Sequence, residues 1–204
     1  MKKQFLTVAV LSAVIAAAVV ACTGSSGKDS KTNTAAAGGN TVDTSATARI
    51  ARGEYLVNTI GCDDCHSPKR MGAHGPELIP ELRFSGFRKD GKLPPADTKA
   101  VQNGWALFAP DLTAAVGPWG ISYAANISSD STGIGAWQEE NFIRAMREGK
   151  FKGLEGGRQL LPPMPWPNFR KLTDEDLRSM FAYLKSTKPV HNVVPDPVAP
   201  ANVK

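Results

Sequence analysis

The segment GCDDCH, residues 61–66, contains the pattern C-x-x-C-H, which is the attachment sequence for c-type haem. Two thiols at this spacing can add to the two vinyl groups of one porphyrin. The histidine that follows directly then lies beneath the iron as an axial ligand. We therefore predict one covalent haem c, held by Cys62 and Cys65, with His66 as a ligand of the iron.

Two other uses of a C-x-x-C pair fit this chain less well. A structural zinc site needs further Cys or His ligands at metal-binding spacing, whereas His74 and His191 are isolated in the sequence. A thioredoxin-like redox pair occurs in a βαβ context, which the hydrophobic pattern does not indicate. Haem attachment is the interpretation that uses the histidine as well as both thiols.

The second axial ligand is predicted to be Met164. It lies in Leu160-Leu161-Pro162-Pro163-Met164-Pro165-Trp166-Pro167, where the prolines fix φ and exclude a helix, so that a stiff loop can present one thioether. His191 is the competing ligand, and a methionine that only fills the core is the alternative role. Ligation by His and Met fills both axial positions and indicates an electron carrier, not an enzyme.

The first residues have the pattern of an export signal. A basic start is followed by an apolar run, and Val19-Val20-Ala21-Cys22 resembles the bacterial lipobox, in which the cysteine is lipidated. We predict a lipoprotein signal peptide over residues 1–21, then a lipidated Cys22 and a flexible linker over residues 22–48. An uncleaved membrane anchor is the alternative. Both interpretations place the chain at a membrane, facing the periplasm.

Hydrophobic periodicity predicts three helices in the rest of the chain. They cover about residues 49–61 and 138–148, and a last helix begins at Thr173-Asp174-Glu175-Asp176, which resembles a capping box, and ends before Pro189. Gly53 would let the first and last helices cross closely.

A long Gly- and Pro-rich stretch, about residues 79–136, separates the first two of these helices. We expect loops there, with one short helix near residues 97–107. The predicted fold class is therefore all-α, with a few helices and long loops wrapped around the haem. This domain covers residues 49–195, and residues 196–204 form a tail.

Composition excludes other classes of protein. The chain has 204 residues, of which 42% are hydrophobic and 21% are charged, as expected for one globular domain. The net charge is +5, but no run of Lys and Arg is present to follow a phosphate backbone, so we expect no nucleic-acid partner. Three cysteines are too few for a disulfide framework.

The chain resembles the class I c-type cytochromes, and in particular the haem domains of cytochrome subunits that serve membrane-bound bacterial dehydrogenases. The resemblance covers about residues 49–195. Besides the haem motif it rests on two segments: Ala125-Asn126-Ile127-Ser128-Ser129-Asp130-Ser131-Thr132-Gly133-Ile134-Gly135-Ala136-Trp137, and Met164-Pro165-Trp166-Pro167 leading into the last helix.

The resemblance implies roles for further residues around the haem. In class I cytochromes a Gly-Pro-x-Leu segment supplies a carbonyl to the haem histidine, and here Gly75-Pro76-Glu77-Leu78 matches it. Pro76 is then the candidate acceptor for His66 and Leu78 a candidate pocket wall. By the same resemblance, Asn126 and Trp137 would hydrogen-bond a haem propionate, and Ile134 would line the pocket.

The implied function is one-electron transfer by a mono-haem cytochrome. The expected donor is a dehydrogenase or a quinol-oxidising complex, and the expected acceptor is an oxidase or a soluble carrier. An electron-entry subunit of a membrane-bound dehydrogenase is the alternative, and a haem enzyme or sensor with an open iron site is a third hypothesis. The chain has a single C-x-x-C-H motif, so we expect it to carry electrons between proteins and not between haems of its own.

Overall fold

The computed structural model describes residues 45–203. The predicted signal peptide, the predicted lipidation at Cys22 and most of the linker lie outside the described residues. Within residues 45–203, no helix is long and apolar enough to cross a membrane.

Two long helices near the ends of the domain pack against each other. Helix α1 is Ala46–Ile60 and helix α6 is Asp174–Ser186, close to the predicted bounds. Gly53 lies at their crossing, where a Cβ would overlap the backbone carbonyl of Ser179. The absence of a side chain at Gly53 is therefore what allows the close approach.

The N-terminus of α6 is capped as the sequence indicates, but only in part. The Thr173 hydroxyl accepts a hydrogen bond from the Asp176 amide at 3.1 Å. The Asp176 carboxylate does not return to the cap; it accepts from Arg52 Nε at 2.9 Å instead. Asp176 therefore links α6 to α1 rather than completing a capping box.

Residues 45–203 contain four further helices. Helix α2, Cys62–His66, follows α1 after one residue, and the predicted third helix is α4, Glu139–Glu148. The short helix expected near residues 97–107 is α3, Thr98–Gln102, and α5 is Trp166–Phe169 in the proline-rich loop. Short 3₁₀ turns follow at Pro80–Leu82, Phe151–Gly153 and Pro200–Asn202.

The prediction of an all-α fold is wrong, because the described residues also contain two antiparallel sheets. A hairpin of β1, Lys69–Gly72, and β2, Gly75–Leu78, follows the haem motif. A second sheet has the order β3, β4, β5, with strands Leu107–Phe108, Ala114–Gly117 and Gly120–Tyr123. Strands of two to four residues are too short to show the apolar–polar alternation by which strands are recognised.

The C-terminal segment pairs with the second sheet. Ile121 donates its amide to the Val198 carbonyl at 2.9 Å, and Val198 returns a hydrogen bond to Ile121 at 3.0 Å. The folded part of the chain thus extends beyond residue 195, where the sequence suggested that a tail begins.

The main core is formed by α1, α4, α6 and parts of the long loops. A second, smaller core lies beneath the three-stranded sheet and is formed by Phe87, Ala109 and Ala114. The main core consists of large apolar side chains that are almost fully buried: Leu56, Val57, Phe84, Ile134, Phe142, Leu177, Met180, Phe181, Tyr183 and Leu184.

Candidate haem-binding site

The haem motif forms a short helix of its own. Gly61 adopts the left-handed conformation, with φ of 81°, which ends α1 and lets α2 begin at the next residue. Cys62 and Cys65 are both partly exposed, and neither is in a disulfide. Two free thiols and an adjacent histidine on one helical segment are the donor set that a covalently attached haem requires, so these residues fit that cofactor.

The two thiols are held in their protonated form. Burial is the main cause that raises the pKa of Cys62 to about 12, and nearby carboxylates raise it further. Burial likewise raises the pKa of Cys65. A catalytic dithiol needs a lowered thiol pKa, so these values disfavour a thioredoxin-like role. Among residues 45–203 no group of three Cys, His, Asp or Glu side chains could hold a metal ion.

The imidazole of His66 is oriented by a backbone carbonyl. Its Nδ1 lies 2.8 Å from the Ala125 carbonyl oxygen, so Nδ1 donates and Nε2 is the acceptor nitrogen of the neutral ring. Burial lowers the pKa of His66, although the bond to Ala125 opposes this shift. A neutral ring with a free Nε2 is the form that binds iron.

The structure places a residue other than the predicted Pro76 beside the His66 ring. Pro76 lies exposed on β2, paired in register with Met71, and Ala125 takes the position expected for it. The reason is that residues 69–78 fold into a hairpin, while a different part of the long loop returns to His66.

Two backbone hydrogen bonds place Ala125 beside the haem helix. Gly86 donates its amide to the His66 carbonyl at 2.8 Å, and Phe87 donates to the Ala124 carbonyl at 3.0 Å. Gly86 has φ of 71°, and a Cβ there would overlap the backbone of Ala124 and Ala125. Gly86 is therefore the point at which the haem helix and the segment that carries the acceptor meet.

Asn126 organises this segment instead of facing a ligand. Only 5% of the residue is exposed, and its Nδ2 donates to the Val190 carbonyl at 2.9 Å and to Thr132 Oγ1 at 3.1 Å. Its Oδ1 accepts from the amide and hydroxyl of Ser128. Both amide protons are thus used inside the protein, and the hydrogen bond from Asn126 to a propionate stays a prediction.

Ile134, Trp137 and Leu78, three other residues predicted to contact the haem, differ in how much of their surface is accessible. Ile134 is 1% exposed and belongs to the main core, and its role as a pocket wall stays a prediction. Trp137 is partly exposed, and its Nε1 donates no hydrogen bond within residues 45–203. Trp137 therefore keeps a free donor, and Leu78, 38% exposed on β2, keeps apolar surface.

The predicted second axial ligand lies in an anchored loop. Met164 is partly buried, and its amide donates to the Leu161 carbonyl at 3.3 Å. The neighbouring Pro162 carbonyl accepts a hydrogen bond from Ser122 Oγ of β5 at 2.6 Å. The three-stranded sheet, which the sequence did not predict, thus supports the methionine loop.

The other candidate ligands are placed less favourably. Met180 is 2% exposed in the main core, and Met146 packs against that core from α4. Met71 is 71% exposed on β1. His191 is largely exposed and lies 3.4 Å from an Asp130 carboxylate oxygen.

Arg83 and Asp63 form an ion pair next to the haem cysteines, which sequence reasoning missed. Arg83 Nη2 donates to Asp63 Oδ2 at 2.6 Å, and Nε donates to Oδ1 at 3.0 Å. Burial acts to raise the pKa of Asp63, but hydrogen bonds from Arg83 and Ser67 outweigh it, so the pKa lies below its ordinary value. The pair keeps the Asp63 carboxylate ionised inside the haem motif.

Comparison with known proteins gives two kinds of match. The cytochrome c family profile matches residues 50–188. The chain is 37% identical over 153 residues to the cytochrome c subunit of an alcohol dehydrogenase (quinone) from Gluconobacter oxydans strain 621H, which covers 73% of this chain and 24% of that protein.

Two further relatives are subunits with similar names. The chain is 31% identical over 156 residues to the gluconate 2-dehydrogenase cytochrome c subunit of Pantoea cypripedii, covering 76% of this chain and 25% of the relative. It is 31% identical over 143 residues to the fructose dehydrogenase cytochrome subunit of Gluconobacter japonicus, covering 69% and 22%. The chain thus spans about a quarter of the length of these relatives.

Proposed function

This chain belongs to the cytochrome c family, and we propose that it carries single electrons between redox partner proteins through one covalently attached haem. The observation that carries this proposal is the arrangement of Cys62, Cys65 and His66, with the His66 ring oriented by Ala125 and its Nε2 left free. When bound, the haem supplies an iron that alternates between Fe(II) and Fe(III).

The residues of the motif have separate tasks in this proposal. Cys62 and Cys65 hold the porphyrin through thioether bonds, which prevents loss of the cofactor from a small domain. His66 binds the iron through Nε2, and the Ala125 carbonyl fixes the tautomer and the plane of the ring. None of these residues transfers a proton or forms a bond to a substrate.

We propose Met164 as the second axial ligand. It is the methionine in a loop that is both partly buried and anchored to β5, whereas Met146 and Met180 pack with the core and Met71 is exposed. A thioether raises the reduction potential relative to a second histidine and closes the open face of the iron. That arrangement favours electron transfer over catalysis. The free indole of Trp137 and the exposed face of Leu78 remain proposed contacts with the haem.

The partner we propose is a membrane-bound dehydrogenase. The relatives named above are cytochrome subunits of alcohol, gluconate and fructose dehydrogenases. In the same proposal, a signal peptide directs export, a lipid on Cys22 tethers the domain, and the linker lets it reach its partners in the periplasm. A quinol-oxidising complex is the other donor, and an oxidase or a soluble carrier accepts the electron.

An absorption spectrum of the purified, oxidised protein tests the ligand assignment. His/Met ligation predicts a weak charge-transfer band at long wavelength, which Met164→Ala should abolish while also lowering the reduction potential. Met71→Ala is the matched control, because it removes an exposed methionine and should leave the band intact. A wild-type protein that lacks the band and binds CO in its reduced form without denaturant would contradict the electron-carrier proposal.

A further inference from the structure

The ammonium group of Lys69 lies against the carbonyl end of the haem helix. Its Nζ is 2.7 Å from the Asp64 carbonyl oxygen, 3.0 Å from that of Asp63 and 2.9 Å from that of Ser67. A fourth carbonyl, that of Asp111 before β4, is at 3.2 Å. One partly buried side chain thus links the end of α2 to a loop that is distant in the sequence.

The sequence explains why a side chain is needed at this place. In a continuing helix the Asp64 carbonyl would accept from the amide four residues later, but residue 68 is proline and has no amide hydrogen. Lys69 supplies the missing donor. A cation at a helix C-terminus also interacts favourably with the unpaired carbonyl groups there.

Among the described residues, no carboxylate forms a direct ion pair with Lys69. Within residues 45–203, no Asp or Glu oxygen lies within 4.0 Å of its Nζ, and every acceptor it contacts is a backbone carbonyl. The nearby carboxylates are otherwise placed: Asp63 pairs with Arg83, Asp64 is exposed, and the Asp111 carboxylate accepts from Thr113. Lys69 is therefore a cation held by backbone carbonyls beside the residues that hold the haem.

The influence of this charge extends to the residues of the motif. Burial is the main cause of the raised pKa of Cys65 and of the lowered pKa of His66. In both groups the Lys69 charge acts to lower the pKa, and a carboxylate of the motif, Asp64 for Cys65 and Asp63 for His66, acts more strongly to raise it. Lys69 is thus electrostatically coupled to both residues.

We propose that Lys69 is a positioning residue that holds the haem helix by its carbonyl end and that its charge raises the reduction potential of the haem. The inference rests on the proposed haem attachment. The oxidised site carries one more positive charge than the reduced site, so a neighbouring cation disfavours the oxidised form by Coulomb repulsion. Because the group is partly buried, salt screens it less than a surface lysine.

The test is a spectroscopic redox titration of haem-loaded variants. Lys69→Gln keeps a hydrogen-bond donor and removes the charge, whereas Lys69→Arg keeps the charge. Lys99→Met is the matched control, because Lys99 is an exposed lysine of α3 that contacts no residue of the motif. We expect Lys69→Gln to change the equilibrium with a reference couple by about 3- to 10-fold toward the oxidised form, or ~30–60 mV, since tenfold is 59 mV for one electron.

Lys69→Arg and Lys99→Met should shift the potential much less than Lys69→Gln. Equal potentials for Lys69→Gln and Lys69→Arg would overturn the inference and leave the electron-carrier proposal intact. A wild-type chain that carries no covalent haem would instead remove the proposal on which the inference rests. Lys69→Met, which lacks both donor and charge, should in addition lower the yield of haem-loaded protein, and an unchanged yield would contradict the positioning role.

Discussion

At the scale of single residues, the acceptor that orients His66 is a main-chain atom, and this limits which parts of the site can be predicted from the sequence. C-x-x-C-H is recognisable because its chemistry lies in side chains. Every residue has a backbone carbonyl like that of Ala125, so no residue type marks the acceptor in the sequence. The indirect signal was Gly86, whose positive φ and close approach to Ala125 show where two backbones meet.

Gly86→Ala should displace the Ala125 carbonyl from His66. The added Cβ overlaps two backbone segments and the residue must adopt positive φ, so we expect a loss of about 2–4 kcal/mol in the free energy of unfolding. Chemical denaturation measures it. Gly104→Ala is the control, because Gly104 also has positive φ, 93°, but open space around it. Equal losses in the two variants would mean that the close approach is unimportant.

Among the elements, helices were predictable and strands were not. The apolar faces of α1 and α6 repeat over more than three turns and that of α4 over almost three, and Thr173 marks the start of α6 through a side chain. The strands have two to four residues and depend on contacts that are distant in sequence. The β4–β5 turn did leave a local signal, the Gly-Pro pair in Gly117-Pro118-Trp119-Gly120, which is typical of turns in general.

Gly53→Ala tests the crossing of α1 and α6. Helix propensity alone would stabilise this variant by about 0.5–1 kcal/mol. The new Cβ overlaps the Ser179 carbonyl and approaches the Cβ of Tyr183, so overpacking of about 1–3 kcal/mol or more should dominate, and the free energy of unfolding should fall. Thermal and urea unfolding would measure whether the free energy of unfolding falls or rises.

Ala51, on the exposed side of α1, provides the control position for Gly53. Ala51→Gly changes propensity without touching α6, and it should cost about 0.5–1 kcal/mol. If Gly53→Ala were more stable than the wild type, the two helices would have room to separate and the sequence-based argument for their close crossing would fail.

At the scale of the whole molecule, one guanidinium joins the haem motif to both long helices. Arg83 Nη2 donates to Asn58 Oδ1 of α1 at 2.7 Å, and Nη1 donates to the Tyr183 hydroxyl of α6 at 3.2 Å. The same group holds Asp63 of α2 by two nitrogens. Arg83 itself lies in the long loop, so the loop expected to wrap the haem is also what connects the helices.

Asp63→Asn should make the stability of the domain less sensitive to acid. The pKa of Asp63 is lowered in the folded state, so its stabilisation is fully present above the ordinary value of about 3.9 and is lost as pH falls through the lowered value. Asparagine cannot balance Arg83, and we expect a loss of about 1–3 kcal/mol at pH 7. Denaturation curves of haem-loaded protein at pH 7, 5, 4 and 3 would measure the difference.

The difference in the free energy of unfolding between wild type and Asp63→Asn should therefore shrink as the pH falls. Protonation at low pH removes the charge of the Asp63 carboxylate from the wild type, and the substitution removes the same charge at every pH. Asp90→Asn is the control: its carboxylate is 84% exposed and lies 3.6 Å from Arg88, so its removal should change stability little at any pH. A wild-type advantage that stays constant down to pH 3 would show that Asp63 stabilises the molecule by its shape and not by its charge.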